Sequence, residues 1–222
     1  MVKREFSKFA TEYKQKNIIQ KQIIKKYSKQ LNNKSILDLG CGNGALLEFI
    51  TPKNYIGIDF SNNMLKLHPH HNVFNYDFNT IECWNFIKKQ NFDILVSFSA
   101  LQWANDLDFI FKNIKNLNKP YLLAIFTANT FKTIHKIANI TSPIHSKEDI
   151  IKYSKILNPK IEILNYSLQF DDKLEMFRYI KRSGVSSGEK KLSYKQLKQL
   201  IENYPLNYLE FEILILQNNT NI

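Results

Sequence analysis

The stretch Ile36-Leu37-Asp38-Leu39-Gly40-Cys41-Gly42-Asn43-Gly44 constrains this chain more than any other. An apolar strand runs into an acid and three alternating glycines, and a helix-like segment from Ala45 to Ile50 follows at once. Glycine is required where a backbone turns sharply and lets a ligand reach its peptide groups. Amides at the mouth of a following helix can then face a polar ligand. The spacing is G-x-G-x-G rather than the G-x-G-x-x-G of the dinucleotide fingerprint, with an acid two residues before the first glycine.

The neighbours extend the pattern. Tyr55-Ile56-Gly57-Ile58-Asp59 is a second strand ending in an acid, at about the 20-residue distance where a carboxylate accepts both ribose hydroxyls of a bound nucleoside. Val73-Phe74-Asn75-Tyr76-Asp77 reads as a third strand ending in an acid. Further strands are predicted near 93–98 and 120–127, with helices near 44–51, 61–67, 79–90 and 105–118. Ser61 and Asn105 are expected as helix N-caps. Such alternation implies a parallel sheet with helices on both faces and ligands at the strands' carboxyl ends. Upstream, Phe6, Phe9, Ala10 and Tyr13, then Ile19, Ile23, Tyr27 and Leu31, recur at helical spacing, so residues 1–34 read as N-terminal helices. The rhythm breaks at 128–158, a mostly helical stretch read as a cap over the site. Ile161–Phe170 and Tyr208–Gln217 alternate like half-buried strands, with helices near 172–182 and 193–203 between them.

The length of 222 residues suits one domain, 1–222, and an apolar fraction of 44% suits a packed core. Met1 to Tyr13 lacks a signal-peptide apolar region, and no apolar run approaches a membrane span, so a soluble cytoplasmic protein is expected. Cys41 and Cys83 make neither a disulfide framework nor a zinc signature. His68, His70 and His71 flank Pro69 without partnering acids or cysteines, so no metal is expected. The net charge of +11 suits an acidic partner. Equally, a sequence so rich in Lys, Asn and Ile carries the mark of biased composition, and only Arg4, Arg178 and Arg182 are arginines.

The glycine loop with its three acids resembles the nucleotide-binding motif of class I S-adenosylmethionine-dependent methyltransferases. The resemblance implies a Rossmann-like seven-stranded α/β sheet with S-adenosyl-L-methionine as cofactor. Asp38 would anchor the glycine turn or the methionine amino group, and Asp59 the ribose. Asp77 would pair with the adenine amino group, or simply cap the next helix. Gly40, Cys41, Gly42 and Gly44 would line the cofactor with Phe60, Phe78 and Ser97. For Phe78, packing in the core is the other reading.

The segment after strand four separates acceptor classes. An Asn/Asp-Pro-Pro-Tyr/Phe turn, used on exocyclic amines, is absent, as is a Pro-Cys pair for pyrimidine C5 chemistry; nucleic acid is therefore not expected as acceptor. Instead Ser97-Phe98-Ser99-Ala100-Leu101-Gln102-Trp103 resembles the malonyl-[acyl-carrier protein] O-methyltransferases of biotin synthesis. Phe6-Ser7-Lys8-Phe9-Ala10-Thr11-Glu12-Tyr13 with Gln20, and Ile180-Lys181-Arg182-Ser183-Gly184-Val185, resemble two other segments of that family. Lys8 stands where the family has arginine, Phe9 where it has a small residue, and 128–158 follows it only loosely.

The resemblance implies O-methylation of the free carboxylate of malonyl-loaded acyl carrier protein. Tyr13, Gln102 and Trp103 would line the transfer site, and Gln20 would close over the methionine end. Arg178, Lys181 and Arg182 would hold the carboxylate or the acidic carrier, a solvated face being the plainer reading for each. A carboxylate is already ionised at neutral pH and needs no base. The alternatives are a free small carboxylate, a quinone-type carbon, or a basic RNA-binding methyltransferase whose binding would depend steeply on salt.

Overall fold

A computed structural model describes residues 17–182 and 193–218, the side chains of Lys181, Arg182 and Tyr194 excepted. Five strands run parallel: β1 (Ser35–Leu39), β2 (Asn54–Asp59), β3 (Val73–Asn75), β4 (Ile94–Phe98) and β5 (Tyr121–Phe126). Two long strands close the sheet in antiparallel fashion, β6 (Lys160–Gln169) and β7 (Tyr208–Gln217), giving the order β3-β2-β1-β4-β5-β7-β6. This is the seven-stranded Rossmann-like sheet expected from the sequence. The strand order reverses between β1 and β4, and the crevice at that switch point is where such sheets bind ligands.

Alternate side chains on each strand feed two cores, because strand residues point to opposite faces. Ile36, Tyr55, Ile94, Leu122 and Ile213 pack on one face, against Ile19, Ile23 and Ile24 of α1 (Ile18–Tyr27). Met176 of α7 (Lys173–Arg182) and Leu200 of α8 (Tyr194–Asn203) belong to the same core. Leu37, Ile56, Leu95, Leu123 and Leu214 pack on the other face. There they meet Trp84 and Ile87 of α3 (Ile81–Ile87) and Ile110, Phe111 and Ile114 of α4 (Leu107–Leu117). Each such side chain contributes roughly 2 kcal/mol by leaving water. Two-sided burial explains why β5 reads as an unbroken apolar run, and β1 and β4 as runs interrupted only by Asp38 and Ser97.

Several local expectations are corrected. The helix expected over 44–51 is a single 3₁₀ turn, Ala45–Glu48, confined between left-handed Gly44 and Pro52. The third strand ends at Asn75, leaving Asp77 in the following turn, where its Oδ1 accepts from the Asn79 N–H at 3.0 Å. Asp106 rather than Asn105 caps α4, accepting from the amides of Asp108 and Phe109. Ser61 does cap α2 (Asn62–Leu65), its hydroxyl accepting from the Met64 amide.

The segment 128–158 is helical, with α5 (Lys132–Ala138) and α6 (Lys147–Ser154), but its placement differs from a simple lid. Ile150 and Leu157 are buried in the core that α4 completes, so α6 and the 3₁₀ turn after it serve as sheet packing. The apolar positions of α6 need a sheet face to cover them, and the flank beside α4 supplies one. Of the N-terminal helices, α1 and the 3₁₀ turn Ser28–Leu31 are described; the lead-in Phe6–Tyr13 lies outside the described residues.

Candidate cofactor site

A cavity opens at the carboxyl ends of β1, β2 and β4. Its wall includes Asn17, Gln20, Asp38, Gly42, Asp59 and Phe78, with Ser99 and Trp103 on the β4 side. Gly40, Cys41, Phe60 and Met64 also border it. Of the residues singled out from sequence, the fold therefore brings Gln20, Asp38, Gly40, Cys41, Gly42, Asp59, Phe60, Phe78 and Trp103 to one place.

The three glycines do three different jobs. At Gly42 an added Cβ meets nothing within 4 Å, so this glycine leaves its side of the loop open to the cavity. A Cβ on Gly40 would lie 2.2 Å from the Cβ of Ala100, so that glycine admits the loop after β4. A Cβ on Gly44 would collide with Pro69 and His68. Close approach to a ligand, expected of all three, thus fits Gly42 best, while Gly40 borders the cavity and Gly44 lies off it.

Asp59 ties the site together. Its Oδ2 accepts from the Gly42 amide at 2.9 Å and its Oδ1 from the Ser61 amide at 2.8 Å. Burial pushes its pKa up to about 6; the two amides oppose that rise, and Asp77 adds to it. Asp38 is more enclosed, and burial lifts it to about 7 against the lowering effect of the Tyr55 hydroxyl, which donates to its Oδ2 at 2.8 Å. Asp38 and Tyr55 meet because β1 and β2 pair in parallel with Ile36 beside Tyr55, which puts Tyr55 on the face that Asp38 shares. Cys41 is also buried, and burial holds its thiol well above the usual range.

Other expected residues fall elsewhere. Ser97, expected at the cofactor, is fully buried and donates to the Leu39 carbonyl at 2.7 Å, locking β4 to β1. Its neighbour Ser99 reaches the cavity instead, with a left-handed φ of 64°. Gln102 does not line the cavity; its Nε2 donates to the Ser99 carbonyl at 2.7 Å and clamps the turn that presents Trp103. Asp77 and Gly44 also lie off the wall. Arg178 is exposed on α7, and none of the described side chains of α7 borders the cavity. Tyr13 and the side chains of Lys181 and Arg182 lie outside the described residues. Among the described residues no group of side chains could hold a metal; His68 stacks on Tyr55 and His70 is tilted against the same ring.

Asn17, Ser99 and Tyr55 were not foreseen. A polar residue just before an apolar helix, and a serine two places past a strand end, are weak signals without the tertiary fold.

The wall suits a cationic nucleoside. Among the described residues its only charged lining side chains are Asp38 and Asp59, in a chain of net charge +11. Asn17 Oδ1, Gln20 Oε1 and Ser99 Oγ are buried without a hydrogen-bond partner among the described residues. Such acceptors are costly unless a bound group meets them. Together with the apolar Phe78 and Met64, this donor-hungry wall fits S-adenosylmethionine, which carries an ammonium, a sulfonium and an adenine.

Comparison with known proteins agrees. Residues 37–121 match the family described as Methyltransferase domain. The ubiquinone biosynthesis O-methyltransferase of Pelagibacter ubique is 30% identical over 56% of this chain and 54% of its own length. The chain thus spans about half the length of that relative. The malonyl-[acyl-carrier protein] O-methyltransferase of Calditerrivibrio nitroreducens is 25% identical over 97% of this chain and 96% of its own length. A S-adenosylmethionine-dependent methyltransferase from Archaeoglobus fulgidus superposes with a TM-score of 0.55, at 14% identity over 90% of this chain and 94% of that structure, a likeness of fold. Residues 37–121 thus match a methyltransferase domain, and the cofactor that fits the site is S-adenosyl-L-methionine.

Proposed function

We propose that the protein is a single-domain enzyme that methylates the free carboxylate of malonyl-loaded acyl carrier protein. The observation that carries this reading is the chemistry of the cavity wall. Among the described residues it offers no histidine, lysine or tyrosine as a base, and its two acids are engaged by Tyr55, Gly42 and Ser61. Amine and hydroxyl acceptors often need a proton removed; a carboxylate, with a pKa near 4, arrives ionised. The Ser97–Trp103 turn and a relative of that activity matched along nearly the whole chain support the same acceptor.

The cofactor supplies an activated methyl group on a sulfonium. The chain's own residues bind, orient and exclude water, the main demands of an in-line transfer. In this reading Asp59 takes the ribose hydroxyls, Asp38 the ammonium, and Phe78 with Phe60 the adenine. Asp77, off the wall in the turn after β3, supports the adenine end by holding that turn through Asn79. Gln20 covers the methionine end; Tyr13, proposed beside it, lies outside the described residues. Gln102 holds the turn so that Trp103 faces the acceptor and keeps water out. Arg178, exposed on α7, is offered to the acidic carrier, with Lys181 and Arg182 three and four positions further along the same helix. Methylation removes a charge that an apolar binding tunnel would reject.

Intact mass spectrometry of malonyl-loaded carrier protein, after incubation with the enzyme and cofactor, tests the reading. Gain of one methylene, absent with acetyl-loaded carrier, is the expected result. No gain in a sample that binds S-adenosylhomocysteine contradicts the acceptor, and leaves a free small carboxylate or a quinone-type carbon to be assayed.

A further inference from the structure

Behind Asp38 runs a directed chain of hydrogen bonds that the methyl transfer does not itself require. The His70 backbone N–H donates to Nδ1 of His68 at 3.1 Å. Because Nδ1 accepts, the neutral ring carries its proton on Nε2. That nitrogen lies 3.2 Å from the Tyr55 hydroxyl oxygen, and the hydroxyl places its one proton on Asp38 at 2.8 Å. Every bond points toward the carboxylate. The rings are held as well: His68 stacks on Tyr55 with centroids 5.4 Å apart, and His70 leans on the same ring at 5.2 Å. Gly44 permits this, since any side chain there would displace His68 and Pro69.

We propose that Tyr55 and His68 are positioning residues that keep Asp38 ionised and fixed in orientation for the ammonium end of the cofactor. This rests on the reading that Asp38 receives that ammonium. A buried carboxylate in an apolar strand tends to take up a proton, and a neutral acid holds a cation poorly. The groups facing Asp38 do not remedy this. Cys41 of its own loop and Asp59 at the end of β2 are neutral or negative, and Tyr55 is the neighbour that donates to it. Burial pulls His68 down to about 4, so at neutral pH it acts as a donor to the tyrosine oxygen rather than as a charge. That donation polarises the hydroxyl toward Asp38.

Calorimetry with two probes tests the inference. S-adenosylhomocysteine carries the ammonium; 5′-methylthioadenosine has the same nucleoside and thioether without it. Tyr55→Phe keeps the ring and removes the hydroxyl. It is expected to weaken S-adenosylhomocysteine about tenfold at pH 7.5, to leave methylthioadenosine unchanged, and to shift the pH midpoint of homocysteine-ligand affinity upward. His68→Phe, which preserves stacking, is expected to act in the same direction to a smaller extent. In Asp38→Asn the added effect of Tyr55→Phe should vanish. Equal weakening of both probes by Tyr55→Phe means a packing role and overturns the inference. Loss with Asp38→Asn but none with Tyr55→Phe overturns it while the Asp38 reading stands. Unchanged discrimination between probes in Asp38→Asn overturns the Asp38 reading itself, and the inference with it.

Discussion

The two sides of the cavity are built differently. On the β1–β2 side both acids are held by the protein: Asp59 by two amides, Asp38 by a tyrosine hydroxyl. On the side formed by α1 and the turn after β4, Gln20 Oε1, Ser99 Oγ and Gln102 Oε1 are buried with no partner among the described residues. Ser99 is further held in a left-handed conformation that a non-glycine residue adopts at a cost. One side is organised by the protein's own bonds; the other keeps local strain and polar groups that only a bound ligand can meet. In the proposed reaction the first side serves the ribose and ammonium of the cofactor, and the turn after β4 serves the acceptor.

The sharpest way to break this contrast is at the glycines. Gly40→Ala forces a Cβ into Ala100 at a φ of 80° and should cost about 4 kcal/mol in urea unfolding, from overpacking and left-handed strain together. Gly42→Ala, with open space, should cost only about 1 kcal/mol yet weaken cofactor binding. Comparable unfolding costs at the two positions would contradict their separate roles. Next in size, Asp59→Ala strands the Gly42 and Ser61 amides. It should lower S-adenosylhomocysteine affinity by about a hundredfold, roughly the loss of two charge-assisted bonds; unchanged affinity by calorimetry would remove Asp59 from the site.

The pH dependence gives a subtler test. Asp38 and Asp59 have folded pKa values of about 7 and about 6, above the roughly 4 of an unfolded chain. The unfolded chain gives up these protons more readily, so the stability they contribute is full below about pH 4 and is lost as pH rises through 6 to 7. The ligand-free melting temperature should therefore fall between pH 5 and pH 8. Asp38→Asn should flatten that fall and raise the melting temperature at pH 8 while weakening the cofactor; a lower melting temperature at pH 8 would contradict it. The smallest effect belongs to the acceptor side. Gln102→Ala should leave cofactor affinity unchanged and lower turnover about tenfold by loosening the Trp103 turn, and equal loss in both would point to a fold defect.

Much of the sheet was legible because burial writes itself as a pattern, an apolar run in β1 and an alternation in β7, and both strands have the bounds that their patterns suggest. Asp38 and Asp59 stood out for the same reason, as acids at the ends of such runs. What stayed hidden depends on contacts between distant segments. The work of Gly40 is set by Ala100, sixty residues away in the sequence. Tyr55 matters through the β1–β2 register, and no local pattern reveals that its hydroxyl reaches Asp38. Ser97 fits a motif by type, yet its hydroxyl is spent on Leu39 and the cavity falls to Ser99. The segment 128–158 lacks strand alternation and so suggested a lid, while burial of Ile150 and Leu157 shows half of it to be ordinary sheet packing.

The most direct test of base-free transfer is the single-turnover rate on malonyl-loaded carrier protein, measured across pH at saturating cofactor. Saturation removes the influence of Asp38 on binding and leaves the chemical step. A rate independent of pH from about 6 to 9 is expected, since the acceptor carboxylate stays ionised throughout. A tenfold rise per pH unit in that window would mean that a base must be deprotonated for transfer, and would contradict a carboxylate acceptor aligned in a site that supplies none.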